Sequence, residues 1–322
     1  MTTEPPVPGA ARAPILMLTG PTGAGKTDWA VALAEHAPVE IVSVDSALVY
    51  RGLDIGTAKP APSLRARIPH HLVDICEPNE SYSAGRFLRD ALASIEAIHA
   101  RGRVPLLVGG TMLYLRALEH GLAVLPPAAP QLRAELEARA QREGWPHLHA
   151  ELARLDPQAA SRIKPADRQR IQRALEVCLS TGRPISELQR ATVSPLAGWP
   201  LQRWVLAPRD RARLHQQLAE RFAAMMAAGL LEEVRQLHHR GDLTGRHPAM
   251  RAVGYRQLWA YLEGEGTLTD AVSRAIAATR QLAKRQLTWL RGAANGEWID
   301  PDATPRLSWI RDISAWLRRF GL

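Results

Sequence analysis

Gly20-Pro21-Thr22-Gly23-Ala24-Gly25-Lys26-Thr27 decides how this chain is read. The stretch fits the phosphate-loop pattern G-x-x-x-x-G-K-[ST], and its flanks fit the context that the pattern requires. Residues 15–18 are a short apolar run that reads as a buried strand, and residues 28–34 read as a helix. The backbone N–H groups of such a loop, with the helix N-terminus behind it, form an anion site. Lys26 adds a point charge, and the Thr27 hydroxyl is the assigned ligand for Mg²⁺. All eight residues are assigned to phosphate binding, with Lys26 and Thr27 also given catalytic roles.

A phosphate loop does not specify a reaction. Residues 40–44 form a second apolar strand that ends at Asp45. In open α/β sheets, ligands bind beyond the carboxyl ends of the strands, so Asp45 is expected in the same crevice as the loop. Three roles are open to it: holding Mg²⁺ through water, acting as general base, or capping a turn.

Composition narrows the class. The 322 residues are 46% hydrophobic and 23% charged, as in a water-soluble globular chain with a sizeable core. No apolar run approaches membrane-spanning length. The N-terminus has no basic and apolar leader pattern; it reads as a disordered tail over residues 1–12 of a cytoplasmic protein. Cys76 and Cys178 are isolated and read as reduced core residues. The adjacent histidines at 70–71 and 238–239 lack metal-ligand spacing. The net charge of +9 favours an acidic partner, nucleic acid first.

Strand candidates at 15–18, 40–44, 71–75 and 104–108 alternate with helices, including 83–100, which predicts a parallel sheet. Prolines 126, 127 and 130 break this pattern. Residues 127–198 read as helical, and a strand at 203–207 returns to the sheet. The expected fold is therefore a P-loop NTPase-like α/β core, 13–126 and 199–300, with an inserted all-helical domain. Residues 301–322 form a C-terminal segment in which Trp309, Ile310, Ile313, Trp316 and Leu317 suggest an amphipathic helix. Two helices carry organised basic charge: Arg170 and Arg173 on one, and Arg274, Arg280, Lys284, Arg285 and Arg291 on the other. Residues 271–291 contain no acidic partner, which favours phosphate-backbone contact over a salt-bridged face.

At 43–60, SVDSALVYRGLDIGTAKP, the chain resembles the tRNA dimethylallyltransferases. The resemblance continues through HHLVDI (70–75), YSA (82–84), LVGGTMLY (107–114), DRQRIQRALEV (167–177), AVGYRQ (252–257) and ATRQLAKRQLTWLR (278–291). It implies transfer of a dimethylallyl group from dimethylallyl diphosphate to N6 of the adenosine on the 3′ side of the anticodon. The phosphate loop would then hold a pyrophosphate leaving group, and Asp45 would deprotonate the amine. The resemblance assigns Arg221 as a second pyrophosphate contact. It places Asp45, Ser46, Ala47, Leu48, Thr111 and Arg133 around the target base. It gives tRNA contacts to Gln169, Arg170, Ile171, Gln172, Arg173, Arg251, Gly254, Tyr255, Arg256, Lys284, Arg285 and Arg291; Arg280 joins these from its basic ridge. The expected partners are tRNA, through its anticodon stem-loop, and dimethylallyl diphosphate, with Mg²⁺ as cofactor and the protein a monomer. ATP is the alternative occupant of the loop. Two rival readings are a small-molecule kinase, which would transfer the ATP γ-phosphate, and a non-catalytic RNA-binding module. The intact Lys26, Thr27 and Asp45 argue against the second.

Overall fold

The computed structural model describes residues 12–127, 129–189, 192–293 and 296–322. The tail expected over 1–12 lies outside these residues, apart from Arg12 itself. The chain divides into two compact units, residues 1–118 with 196–322, and residues 119–195.

The larger unit is built on six parallel strands: β1 (Ile15–Thr19), β2 (Val39–Val44), β3 (His70–His71), β4 (Val104–Gly109), β5 (Leu201–Leu206) and β6 (Glu297–Ile299). Their order is β3-β2-β4-β1-β5-β6. Strands β1, β2 and β4 are buried almost throughout, as both faces of a parallel sheet require. Alternate residues face opposite sides. Leu16, Leu18, Ile41 and Leu106 join Trp29 and Leu33 of helix α1 (Lys26–Ala34) in one core. Ile15, Met17, Val42 and Leu107 join Phe87, Ile95 and Ile98 of helix α2 (Ala84–Ala100) in the other. The order places β4 between β1 and β2, so the chain segments leaving β1, β2 and β4 converge at one end of the sheet.

Helix α3 (Met112–His120) follows β4. Four further helices of the larger unit bear on the site: α4 (Arg211–Ala227), α5 (Leu230–His239), α6 (Tyr255–Leu262) and α7 (Leu268–Ala293). Helix α7 buries Ala271, Ala275, Ala283, Gln286, Leu287 and Leu290, while Val272 and Ile276 are only partly buried.

Two features depart from the sequence reading. The strand expected over 71–75 is only His70–His71. Leu72 and Asp74 then take positive φ (63° and 56°), and the chain turns to pair with the loop after β2. There Asp74 N, Ile75 N and Cys76 N donate to the carbonyls of Leu48, Val49 and Val49. Strand β6 was not foreseen; three residues are too short for a periodic signal. The C-terminal segment 301–322 carries the amphipathic helix that its spacing implies, within the larger unit. Helix α8 (Arg306–Leu317) buries Trp309, Ile310, Ile313 and Leu317 in the α1-side core, with the Trp309 ring 5.1 Å from Trp29 and 5.5 Å from Trp204.

Unit 119–195 is helical among its described residues and begins ahead of the proline break at 126–127. Helices at Pro130–Glu143, Trp145–Leu155 and Arg168–Thr181 enclose their own core, in which Leu136, Leu148, Leu152, Ile171 and Leu175 are almost fully buried.

Candidate active site

The phosphate loop leaves β1 at Gly20, whose φ is 154°. A Cβ there would lie 2.1 Å from the Leu206 carbonyl oxygen, so the loop can follow this path only with glycine. Lys26 opens α1, and its Nζ folds back to donate to the carbonyls of Gly20 (3.0 Å) and Pro21 (2.7 Å). Desolvation lowers the Lys26 pKa to about 8; Arg221 pushes it the same way, and the negative charge of Asp45 opposes both.

Asp45 follows β2 directly. Its Oδ1 accepts from the N–H groups of Ala47 (2.8 Å) and Leu48 (3.3 Å), which fixes the carboxylate while leaving Oδ2 outside this turn. Ser46 N–H donates to Thr111 Oγ1 at 3.1 Å, tying the loop after β2 to the loop after β4. Gln286, from the buried face of α7, completes the frame. Its Oε1 accepts from Thr22 N–H at 2.9 Å, and its Nε2 donates to the Gly110 carbonyl at 2.8 Å. One amide thus spans the phosphate loop and the loop after β4. Gly110 is required there, because a Cβ would sit 2.7 Å from the Gly20 carbonyl oxygen as well as 2.6 Å from that Nε2.

Two cavities meet across this frame. A slot of about 410 Å³ is lined by Gly23, Gly25, Lys26 and Thr27, and runs on past Ser43, Ile41 and His70. A chamber of about 650 Å³ is lined by Thr111, Met112, Phe222 and Met225, with Arg251, Arg256 and Arg285 around it. Thr22, Asp45, Thr57, Gly110, Arg221 and Gln286 line both. Asp45 and Arg221 therefore stand on the shared wall. Desolvation in the cleft lowers the Arg221 pKa, and Asp45 and Asp28 partly offset this. A guanidinium titrates so high that it stays charged regardless.

The structure brings together Gly20, Pro21, Thr22, Gly23, Ala24, Gly25, Lys26, Thr27, Asp45, Ser46, Ala47, Thr111, Arg221, Arg251, Arg256 and Arg285. It corrects other assignments. The Thr22 N–H is taken by Gln286 rather than offered to an anion. Leu48 lines the slot and not the chamber. Ile171 is fully buried in the helical unit, so its place in a motif reflects packing, not RNA contact. Gly254 caps α6 with a positive φ of 95°, and Tyr255 is fully buried, its hydroxyl 2.5 Å from Glu233. Arg133 and Arg173 hold the buried carboxylate of Glu176, Arg133 through two hydrogen bonds of 3.0 and 3.1 Å and Arg173 through one of 2.9 Å. A buried carboxylate needs such partners, so both arginines have structural work. Arg170 and Gln169 remain exposed, and Gln172 donates to the Arg133 carbonyl. Arg280 reaches the His215 carbonyl, and Lys284 and Arg291 line a separate groove with Arg211. The basic face of α7 is thus split, with only Arg285 at the chamber.

Sequence reading missed two residues that shape the site. Gln286 is one. Glu233 is the other: its carboxylate accepts from the N–H groups of Asp54 (3.0 Å), Ile55 (2.7 Å) and Gly56 (3.2 Å), and from Tyr255. It thereby fixes the loop that carries Thr57 into both cavities.

A family model described as IPP transferase matches residues 48–293. The chain belongs to that family. It is 58% identical over 290 residues to the tRNA dimethylallyltransferase of Alkalilimnicola ehrlichii, covering 90% of this chain and 91% of that one. It is 59% identical over 285 residues to the tRNA dimethylallyltransferase of Bordetella petrii, covering 88% and 90%. Among solved structures it resembles the tRNA isopentenylpyrophosphate transferase of Bacillus halodurans, with a TM-score of 0.69, 35% identity, and 96% and 98% of the two chains covered. It also resembles a eukaryotic dimethylallyltransferase acting on tRNA, with a TM-score of 0.73, 28% identity, and 86% and 70% covered. The parallel sheet with its phosphate loop is thus the fold of this transferase family. No helix among the described residues is long and apolar enough to cross a membrane.

Proposed function

We propose that this IPP transferase moves a dimethylallyl group from dimethylallyl diphosphate to N6 of the adenosine on the 3′ side of the anticodon in tRNA. One observation carries the reading. Asp45 stands on the wall shared by the phosphate-loop slot and the arginine-rimmed chamber, where a donor in one would meet an acceptor in the other. The adenine leaves its stack, at about a few kcal/mol, and enters the chamber past Thr111 and Phe222. Its N6 attacks C1 of the donor. The C1–O bond breaks, and its electron pair leaves with the diphosphate, where Lys26, Arg221 and the N-terminus of α1 offset the charge. The proton from N6 passes to Asp45, which the Ala47 and Leu48 N–H groups hold in place.

Thr27 lines the slot, and no cluster of three acidic, histidine or cysteine residues is found among the described residues. One hydroxyl beside a diphosphate suits Mg²⁺, which takes few protein ligands and shares the phosphates of its substrate. Bound there, Mg²⁺ would neutralise diphosphate charge. Arg251, Arg256 and Arg285, which line the chamber, would meet the anticodon loop, and the exposed Arg170 and Gln169 the RNA backbone. We place the protein in the cytoplasm as a monomer engaging one tRNA.

The deciding test is nucleoside mass analysis of unmodified tRNA after incubation with the protein, Mg²⁺ and dimethylallyl diphosphate. A gain of one isopentenyl unit on adenosine is expected. No gain, with ATP consumed on a small acceptor instead, would leave a kinase as the better reading.

A further inference from the structure

The lining of the slot is not uniformly apolar. Ile41 and Ser43 are alternate residues on β2, and they line the slot with Asp45, which follows the strand. Ala30, Val73 and Val108 supply apolar wall. Two polar atoms break that wall. Ser43 is buried, at 4% exposure, and its Oγ has no hydrogen-bond partner. His70, whose Cα pairs with that of Ile41 across the β2–β3 ladder, has a buried Nε2 without a partner. Buried polar atoms are rarely left unpaired, so a pair lining one cavity points to a ligand group.

The chemistry of the two atoms defines that group. His70 Nδ1 lies 2.7 Å from the Ile68 carbonyl, so Nδ1 carries the proton. Burial lowers the His70 pKa, which keeps the ring neutral near pH 7. Nε2 is therefore an acceptor and needs a donor. Ser43 Oγ can donate or accept. A hydroxyl has the donor that Nε2 needs and an oxygen able to pair with Oγ; a methyl group has neither.

Resting on the reading above, we propose that the slot also accepts an allylic diphosphate whose hydrocarbon chain ends in a hydroxyl, with that hydroxyl at Ser43 and His70. The reaction is unchanged: C1–O breaks, N6–C1 forms, the proton goes to Asp45, and the product carries one additional oxygen.

The test is a competition between dimethylallyl diphosphate and its chain-terminal hydroxylated analogue on a single anticodon stem-loop, with the two products separated by mass. Wild type is expected to form both. Ser43→Ala should lower the ratio of hydroxylated to plain product about tenfold, the worth of about one hydrogen bond. Ser43→Thr, which keeps the hydroxyl on a β-branched side chain suited to a strand, should restore the ratio. Because the ratio is internal, a loss of folded enzyme does not move it. Plain product without hydroxylated product from wild type, or a ratio unchanged in Ser43→Ala, would overturn the inference and leave the slot end to water. Neither product from wild type would instead remove the parent reading, and this inference with it.

Discussion

Replacing Gln286 by alanine should impair catalysis well beyond its effect on stability. The substitution leaves the Thr22 N–H and the Gly110 carbonyl without the partner that now holds them at 2.9 and 2.8 Å. An unsatisfied buried group costs about 1–3 kcal/mol. Both residues line the cavities, so water can reach the vacated positions, and the combined cost should fall near the low end, about 2 kcal/mol. Part of this appears as a lower denaturation midpoint. The larger consequence is geometric. The amide sets the spacing between the phosphate loop and the Gly110-Thr111 turn, which is the spacing between donor and acceptor. A misplacement of about 1 Å can cost about 10²-fold in rate. The assay pairs steady-state transfer kinetics with urea unfolding of the same variant. A fall in kcat of about 10²-fold is expected, with stability reduced by about 2 kcal/mol. Gln286→Glu should not rescue, because it sets a carboxylate oxygen against the Gly110 carbonyl. If Gln286→Ala keeps kcat within a factor of about three while showing the full fall in stability, Gln286 serves packing alone and the spacing argument is wrong.

Asp45→Asn should lower kcat by about 10²–10⁴-fold while tRNA affinity stays near wild type; normal turnover would take the base role away from Asp45. Lys26 titrates near pH 8 in the free protein and attracts an anion only when protonated, so diphosphate affinity should fall as pH rises through about 8, at most tenfold per pH unit. Calorimetric titration across that range reads this, and flat affinity would mean that Lys26 is not the dominant phosphate ligand. Removing Arg256 or Arg285 should reduce the salt dependence of tRNA binding by about 0.7–0.9 in log–log slope for each phosphate that is no longer neutralised, and an unchanged slope would place that residue off the backbone. Ile171→Ala should destabilise the helical unit by about 2–5 kcal/mol, measured by chemical unfolding, with no change in that slope.

The phosphate loop and Asp45 were legible in the sequence because each is a local signal: a fixed spacing in one case, an apolar strand ending in a carboxylate in the other. The strand order was not legible, since nothing in residues 104–109 states that they insert between β1 and β2. The segment 71–75 reads as a strand by its Leu, Val and Ile content, yet Leu72 and Asp74 adopt positive φ, where tertiary contacts override propensity. A motif match cannot separate a residue kept for packing from one kept for touching RNA, which is why Ile171 and Tyr255 were placed at the RNA. Gln286 did leave a trace: it is a polar residue on the same helical stripe as Ala283, Leu287 and Leu290. Glu233 left none, because an acidic residue in the first turn of a helix is already explained by the helix dipole.

The strand order also bears on synthesis. The phosphate loop is complete once residue 27 has been made, but β4, which flanks β1 and carries the Gly110 turn, comes some eighty residues later, and β5 about a hundred after that. Gln286 lies 264 positions beyond Thr22. A ribosome-bound or prematurely terminated chain therefore contains the whole phosphate-loop sequence without the neighbours that close the site. Such a fragment lacks the amide that sets the phosphate loop against the Gly110 turn, so it cannot hold an allylic diphosphate in register, and competence arrives only when α7 docks.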